Sequence, residues 1–347
     1  MKPHQVLGVV SIIWLALASA DARAETSGQQ LAEGAGRPLV GTLAPRLILK
    51  TIDGETIDLG RLYGRQAVYL KFWATWCVPC REQMPHFERT YETAGPDLAV
   101  IAINAGFNDS IDDIRAYRDK LAITMPIVLD DGRVGAAFNL RVTPQHIVIG
   151  RDGRIQYVGH LADARLDAAL VAARAPPGDS APNIAARLMN PADISRYKVG
   201  DSLPEQSPLT LDGRRFRFRD SGDSRHTILV FLSPWCESYL ATTRPALSAN
   251  CRRMREQVSA LSGERNARWL GIASGLWATP EDLREYRTRY RVRIPLSLDE
   301  SGALFRAFNV TRVPAVLIAD GSGRILRRVE GGDLDTAAAL RTAINAP

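Results

Sequence analysis

The stretch FWATWCVPCRE, residues 72–82, decides how this chain is interpreted. It overlaps an apolar run, residues 67–73, that is typical of a strand buried on both faces, and we expect a helix to begin at about Val78. Cys77 and Cys80 would then lie at a helix start, where unpaired backbone N–H groups and the helix dipole lower the pKa of a thiol. This spacing predicts a redox-active dithiol in which Cys77 attacks a disulfide and Cys80 resolves the mixed disulfide.

Two other functions fit a CxxC pair, namely a stabilising bridge and half of a zinc site. A bridge across so short a loop adds little entropic stabilisation. The chain has 4 cysteines and 5 histidines, and no Cys/His cluster among them has the spacing of a zinc site. We therefore expect no metal and no cofactor, and we expect His146 and His160 to be surface residues.

The chain repeats itself. Residues of the segment 40–77 recur at a constant spacing in the segment 199–236, including the Trp-Cys pair that ends each segment. Residues of the segment 138–155 recur in the segment 308–325 at a spacing larger by 11. The second copy therefore carries extra residues after its dithiol position.

The sequence predicts the same order of strands and helices in each copy. The predicted strands are residues 67–73, 98–104 and 147–150 in the first copy and 227–232, 269–274 and 315–318 in the second. Helices are expected from Val78, over 110–121 and over 280–290. A β-α-β order followed by an antiparallel pair implies a mixed sheet covered by helices.

The predicted organisation is a leader followed by two domains. Lys2, a short apolar stretch and the small residues 18–20 are typical of a signal peptide, and an uncleaved membrane anchor is the alternative. The predicted boundaries are residues 1–20 for the signal peptide, 21–37 and 175–197 for linkers, and 38–174 and 198–347 for the two domains. Either alternative puts the folded chain outside the cytoplasm, where disulfides persist.

The charge pattern argues against a nucleic-acid partner. The formal net charge is +6, but the arginines are scattered among nearly as many acids. Binding of DNA or RNA requires positive charge gathered on one side. We expect an ordinary solvated surface and no membrane span after signal cleavage.

Residues 72–82, with Met84 and Pro85 following, closely resemble the TlpA/ResA branch of the thioredoxin superfamily. The resemblance covers residues 38–172 and includes Val-Thr-Pro at 142–144, which is similar to the family's cis-proline loop. It implies an α/β fold of two tandem thioredoxin-like domains, each with a central mixed sheet flanked by helices. It also implies an attacking role for Cys77, a resolving role for Cys80, and substrate-binding roles for Trp76, Pro79, Thr143 and Pro144.

The resemblance implies a function as well. Most members of this branch are periplasmic or membrane-tethered thiol-disulfide oxidoreductases. They reduce specific cysteines during cytochrome c or copper-centre maturation and receive electrons from a membrane thiol donor. We therefore expect a periplasmic enzyme that exchanges disulfides with protein partners, reductive rather than oxidative.

Two departures from the family pattern bear on the direction of electron flow. Lys71 stands where thioredoxins carry a buried acid beneath the dithiol and closer relatives usually carry Asn. A lysine there would favour the thiolate and make the pair more oxidising, whereas an ammonium that extends to the surface would have no effect. Phe107 stands near the position where ResA-like proteins place an acidic residue. We name no general base.

The second copy has an altered motif. Cys236 is retained, but Tyr239 replaces the resolving cysteine. The fourth cysteine, Cys251, would lie about 22 Å from Cys236 in one straight helix, too far for a disulfide. Pro245 interrupts this segment and would allow it to fold back. A Cys236–Cys251 disulfide, two separate thiols and an intermolecular bond all remain open.

Two alternative functions follow from these features. A thiol peroxidase would use Cys236 and Cys251, although the segment before Cys236 lacks the peroxiredoxin pattern. A non-enzymatic copper or substrate-binding chaperone would need ligands that the sequence does not group. Pro314 corresponds to Pro144 and indicates that the second copy keeps the cis-proline loop.

Overall fold

The computed structural model describes residues 27–176, 196–220, 222–330 and 336–344. We call residues 27–176 the first unit and the described residues from 196 onward the second unit. The predicted signal peptide, residues 1–20, and most of the predicted linker, residues 177–195, lie outside the described residues. Among the residues described, no helix has both the length and the apolar character needed to cross a membrane.

The first unit is built on a five-stranded mixed sheet. The strands of this unit are β1 (Ile48–Lys50), β2 (Thr56–Asp58), β3 (Ala67–Trp73), β4 (Leu98–Asn104), β5 (Ile127–Leu129), β6 (Gln145–Ile149) and β7 (Ile155–Gly159). Its helices are α1 (27–36), α2 (Leu59–Leu62), α3 (Val78–Glu82), α4 (Met84–Glu92), α5 (Ile111–Leu121), α6 (Arg133–Ala137) and α7 (Ala164–Ala173). The sheet order is β5-β4-β3-β6-β7, and β1 and β2 form a separate hairpin. All residues of β3 are buried, because this central strand is covered on both faces.

The second unit repeats this topology. Its strands are β8 (His226–Leu232), β9 (Ala267–Ser274), β10 (Leu296–Asp299), β11 (Ala315–Ala319) and β12 (Ile325–Glu330). Its helices are α8 (Cys236–Thr243), α9 (Pro245–Leu261), α10 (Pro280–Arg289), α11 (Ala303–Ala307) and α12 (Thr336–Ile344). The sheet order β10-β9-β8-β11-β12 matches that of the first unit. The predicted α/β fold with mixed sheets is confirmed, and the extra residues of the second copy lengthen α9 to 17 residues, against 9 in α4.

The structure differs from the sequence-based expectation at residues 21–37, which were assigned to a linker. Residues 27–36 form helix α1, and the Gln29 side-chain oxygen accepts the backbone N–H groups of His160 at 2.8 Å and Leu161 at 3.2 Å. Apart from Gln29, the buried face of α1 consists of small residues such as Ala32 and Ala35. Small residues leave no pattern of large apolar side chains, so the sequence offers little sign of this helix.

The apolar core is continuous between the two units. One cluster of buried residues contains Trp76 and Cys77 of the first unit together with Phe231, Cys236 and Phe305 of the second. Each sheet has a further cluster that contains residues of one unit only. The faces that carry the cysteines are therefore packed against each other.

Candidate active site

The two cysteines of the first unit lie where β3 gives way to α3. Cys77 is the N-cap residue of α3, and its Sγ accepts a hydrogen bond from the Cys80 backbone N–H at 3.2 Å. A disulfide joins the two residues, whose Cα atoms are 5.2 Å apart. Because a Cys77 thiolate would accept the same N–H group, the backbone favours the charged form of this cysteine after reduction. Cys80 is completely buried, which suits a resolving role.

The loop before β6 lies against this disulfide. The Thr143–Pro144 peptide bond is cis, and the Thr143 carbonyl oxygen is 3.3 Å from Cys77 Sγ. Trp76, next to Cys77, is buried, while Pro79 is in the first turn of α3 and is partly exposed. The structure thus brings together at one place the residues for which substrate-binding roles were predicted.

Lys71 is buried in the centre of β3. Its side chain is 0% exposed, and Nζ has no hydrogen-bond partner. Nζ lies 5.2 Å from the ring centroid of Phe87, which packs in the same apolar cluster as Cys77 and Cys80. Burial lowers the pKa of Lys71 from 10.5 to about 7. The alternative that this ammonium extends to the surface is wrong, because the strand is covered on both faces.

A buried hydrogen-bonded network connects β3, α3 and the cis-proline loop. Tyr69 Oη is 2.8 Å from His146 Nδ1, and His146 Nε2 is 2.8 Å from Gln83 Oε1. The Gln83 amide also donates to the His160 carbonyl oxygen at 3.2 Å, and His160 Nδ1 is 2.7 Å from the Pro144 carbonyl oxygen. Since Gln83 ends α3, the network holds the dithiol helix in a fixed position relative to the loop.

Both histidines are interior, so the expectation that they lie at the surface is wrong. His146 is 0% exposed and His160 is 1% exposed. Burial lowers the pKa of each histidine, and the charge of Lys71 lowers both further. A neutral His146 ring that donates from Nε2 and accepts at Nδ1 satisfies both of its partners. In the part of the chain that the structure describes, no group of three or more His, Cys, Asp or Glu could hold a metal ion.

Asp109 was not predicted from the sequence to have a role, yet it organises the segment before Cys77. Its carboxylate accepts the Thr75 backbone N–H at 2.8 Å, the Thr75 hydroxyl at 2.5 Å and the Asn104 amide at 2.8 Å. In addition, Arg244 Nη2 of the second unit lies 3.3 Å from Asp109 Oδ1. Burial raises the pKa of Asp109, and these hydrogen bonds act against that rise. The nearest sequence signal was Phe107, two residues earlier, which stands near the position where ResA-like proteins place an acidic residue.

The second unit holds its two cysteines together. Cys236 is the first residue of α8, Cys251 lies in α9, and a disulfide joins them with Cα atoms 6.2 Å apart. The helix ends at Thr243 and a new one begins at Pro245, so the segment turns back as the proline suggested. Of the arrangements left open for these cysteines, the structure contains the intramolecular disulfide.

The altered motif of the second unit faces the intact motif of the first. The Tyr239 hydroxyl accepts the Val78 backbone N–H at 3.0 Å, and the Trp235 ring lies 4.9 Å from the Trp76 ring between centroids. The Val313–Pro314 bond is cis, like its counterpart in the first unit. The second unit thus keeps the loop and the Trp-Cys pair while lacking the resolving cysteine.

Comparison with known proteins agrees with this geometry. Residues 40–158 match the AhpC/TSA family. The chain is 35% identical over 130 residues to the thioredoxin-like protein YneN of Bacillus subtilis, covering 37% of this chain and 76% of YneN. It is 36% identical over 117 residues to the thiol-disulfide oxidoreductase ResA of Halalkalibacterium halodurans, covering 33% of this chain and 65% of that protein. The chain belongs to the TlpA/ResA-like thiol-disulfide oxidoreductases.

This TlpA/ResA-like identity rests on the first unit, which contains the whole family match at residues 40–158. Among solved structures, a thiol:disulfide interchange protein of Chlorobium tepidum is 26% identical, with a TM-score of 0.34. That alignment covers 39% of this chain and 97% of the other. The matches to YneN and ResA confirm the predicted family and the predicted enzyme class, a thiol-disulfide oxidoreductase with a CxxC motif.

Proposed function

We propose that this TlpA/ResA-like chain exchanges disulfides with protein partners through Cys77 and Cys80. The Cys77 thiolate attacks a partner disulfide, forming a mixed disulfide and releasing one partner thiol. Cys80 then attacks the Cys77 sulfur, which releases the second partner thiol and closes the Cys77–Cys80 bond, so that two electrons pass to the partner. The position of Cys77 Sγ, between the Cys80 N–H and the Thr143 carbonyl, is the observation that supports this order.

The direction that we propose is reduction of the partner, as the resemblance to TlpA and ResA implies. A charged Lys71 near the dithiol would act against this direction, because an ammonium stabilises a thiolate and so raises the reduction potential. Equilibration with glutathione measures the reduction potential of the Cys77–Cys80 pair and so decides the direction. A potential near about −270 mV would support a reductant, whereas one near about −120 mV would identify an oxidant.

The location that we propose is the periplasm, reached through a signal peptide at residues 1–20. The partners are exported proteins whose cysteines must be kept reduced, as in cytochrome c or copper-centre maturation, and the electrons come from a membrane thiol donor. This assignment is supported by the family and by the two disulfides, since disulfides persist in an oxidising compartment.

The Cys80→Ser variant tests the proposed function directly. Without a resolving thiol, Cys77 should remain joined to its partners, so that covalent complexes accumulate in the periplasm and dithiothreitol releases them. Mass spectrometry of the released proteins identifies the substrates. Cys77→Ser is the matched control and should capture nothing. Absence of any complex, together with failure of the wild-type chain to exchange disulfides in peptides, would refute the proposal.

We further propose two domains, residues 38–174 extended at their start by helix α1 and residues 198–347, in which the Cys236–Cys251 disulfide stabilises the second. Cys251→Ser should lower the free energy of unfolding by about 3 kcal/mol, the expected effect for a loop of this length. Urea unfolding measures the loss. With reductant present, the variant and the wild type should become equally stable. If stability does not change, while peroxide consumption disappears in Cys236→Ser, the cysteines instead serve a thiol peroxidase.

A further inference from the structure

The second unit covers the dithiol of the first. Trp76 and Trp235, which directly precede Cys77 and Cys236, pack against each other with their rings tilted by 31°, and Tyr239 contacts Trp76 edge-on with ring centroids 6.3 Å apart. In this arrangement Cys77 is 1% exposed. No thiol can reach its sulfur unless this contact opens.

The loop before α10 lies on the cis-proline loop of the first unit. The Trp277 backbone N–H donates to the Arg141 carbonyl oxygen at 2.8 Å, and the indole N–H lies 3.1 Å from the Thr143 carbonyl oxygen and 3.2 Å from its hydroxyl. The Arg141 guanidinium in turn donates to the carbonyl oxygens of Gly275 and Ala278, each at 3.3 Å. Trp277 therefore engages the same Thr143 carbonyl that faces Cys77 Sγ.

The contact is reciprocal. In the first unit the Asn108 backbone N–H donates to the Thr311 carbonyl oxygen at 2.8 Å, and the Asn108 side-chain oxygen accepts the Val313 N–H at 2.9 Å. Asn108 and Trp277 occupy equivalent loop positions and have φ angles of +58° and +55°. This conformation is unusual for a residue as bulky as tryptophan, and surrounding contacts must hold it.

The indole of Trp277 is enclosed by the first unit on further sides. His160 packs against it edge-on, with ring centroids 5.3 Å apart. Helix α1 passes so close that a Cβ atom at Gly28 would lie 2.9 Å from the indole and 2.6 Å from the His160 ring. A glycine is therefore required where the helix approaches this contact.

We infer that Trp277 is the latch that holds the Cys77–Cys80 site closed, and that a partner gains access by displacing its indole from the Thr143 carbonyl. This inference rests on the proposed function. Reaction at Cys77 then proceeds at its intrinsic rate multiplied by the fraction of molecules that are open. Weakening the latch should accelerate attack by any thiol, because the closed form excludes small and large reagents alike.

The rate at which dithiothreitol reduces the Cys77–Cys80 disulfide in the full chain tests the latch, with alkylation and mass spectrometry as the readout. Trp277→Ala should raise this rate at least about tenfold, which corresponds to a shift of about 1.4 kcal/mol in the opening equilibrium. Trp277→Phe keeps a ring but loses the indole N–H, and should raise it about fivefold, the effect of one net hydrogen bond. Leu209→Ala, at an exposed position of the second unit, is the control and should change nothing.

If dithiothreitol reduces both Trp277 variants at a rate within twofold of the wild type, Trp277 does not hold the site closed. The phenylalanine variant covers the case in which Trp277→Ala does not fold. Failure of the proposed function has a different signature. In that case dithiothreitol would reduce the Trp277 variants quickly, but the reduced variants would pass no electrons to a protein disulfide.

Discussion

Replacing Lys71 with methionine is expected to raise the free energy of unfolding by about 5 kcal/mol at pH 6. The fall in the pKa of Lys71 from 10.5 to about 7 means that protonating this amine in the folded chain costs about that much. No hydrogen bond offsets the cost, because Nζ has no partner. Methionine has a similar shape and no charge, so it keeps the packing against Phe87 and removes the penalty.

The effect of the Lys71 substitution on stability should depend on pH. Between pH 7 and 10.5 the unfolded chain binds a proton at Lys71 that the folded chain does not, so the stability of the wild type rises with pH across this window. Below about pH 7 both states are protonated and the penalty is complete. Above about pH 10.5 neither state is protonated and the penalty vanishes. Urea unfolding at pH 6, 8 and 9.5 should therefore show a difference between wild type and variant that shrinks as the pH rises.

Lys50 provides the matched control for this experiment. It lies at an exposed position of β1, so Lys50→Met should leave the stability and its pH dependence unchanged. If the free energy of unfolding changed with pH in the same way in the wild type and in Lys71→Met, the prediction would be contradicted. The same variant should also have a lower reduction potential than the wild type, because its reduced form loses a cation that stabilises the thiolate.

Removing the Asp109 carboxylate is expected to have the second-largest effect. Asp109→Ala leaves the Thr75 and Asn104 donors without an acceptor and Arg244 without its buried partner. Breaking a buried pair by removing one partner costs about 3–5 kcal/mol. Both units should be affected, because Arg244 belongs to the second and the remaining partners to the first.

Urea unfolding of Asp109→Ala measures this loss, and Asp112→Ala serves as its control. Asp112 lies in the first turn of the adjacent helix, with its side chain 94% exposed and only a weak pair to Arg115 at 3.9 Å. Its removal should cost less than about 1 kcal/mol. A loss at Asp109 no larger than the loss at Asp112 would show that the carboxylate does not hold the segment before Cys77.

Much of the fold and the dithiol could be predicted because their signals are local. The apolar run 67–73 became β3 without a change of bounds, and the run 98–104 became β4. Cys77 and Cys80 were assigned from a spacing of three residues. The loop at Pro144 was assigned from the resemblance of residues 142–144 to the family's cis-proline loop. Each of these features is determined within a few residues of sequence.

Other parts of the site could not be predicted because they depend on distant partners. Thr143 and Trp277 are 134 residues apart, and no pattern along the chain connects them. His146 and His160 were expected at the surface, since a polar side chain is interior only where partners such as Tyr69 satisfy it. Helix α1 was missed because its buried face is made of small residues.

The reciprocal contact, in which the cis-proline loop of each unit meets the Asn108 or Trp277 loop of the other, has the geometry of a symmetric dimer within a single chain. In a dimer of separate subunits the closed fraction would fall on dilution. Here the two units meet at an effective concentration set by the connecting segment, so the closed fraction does not depend on how much protein is present. The dithiol is therefore shielded equally well in a dilute and in a crowded compartment.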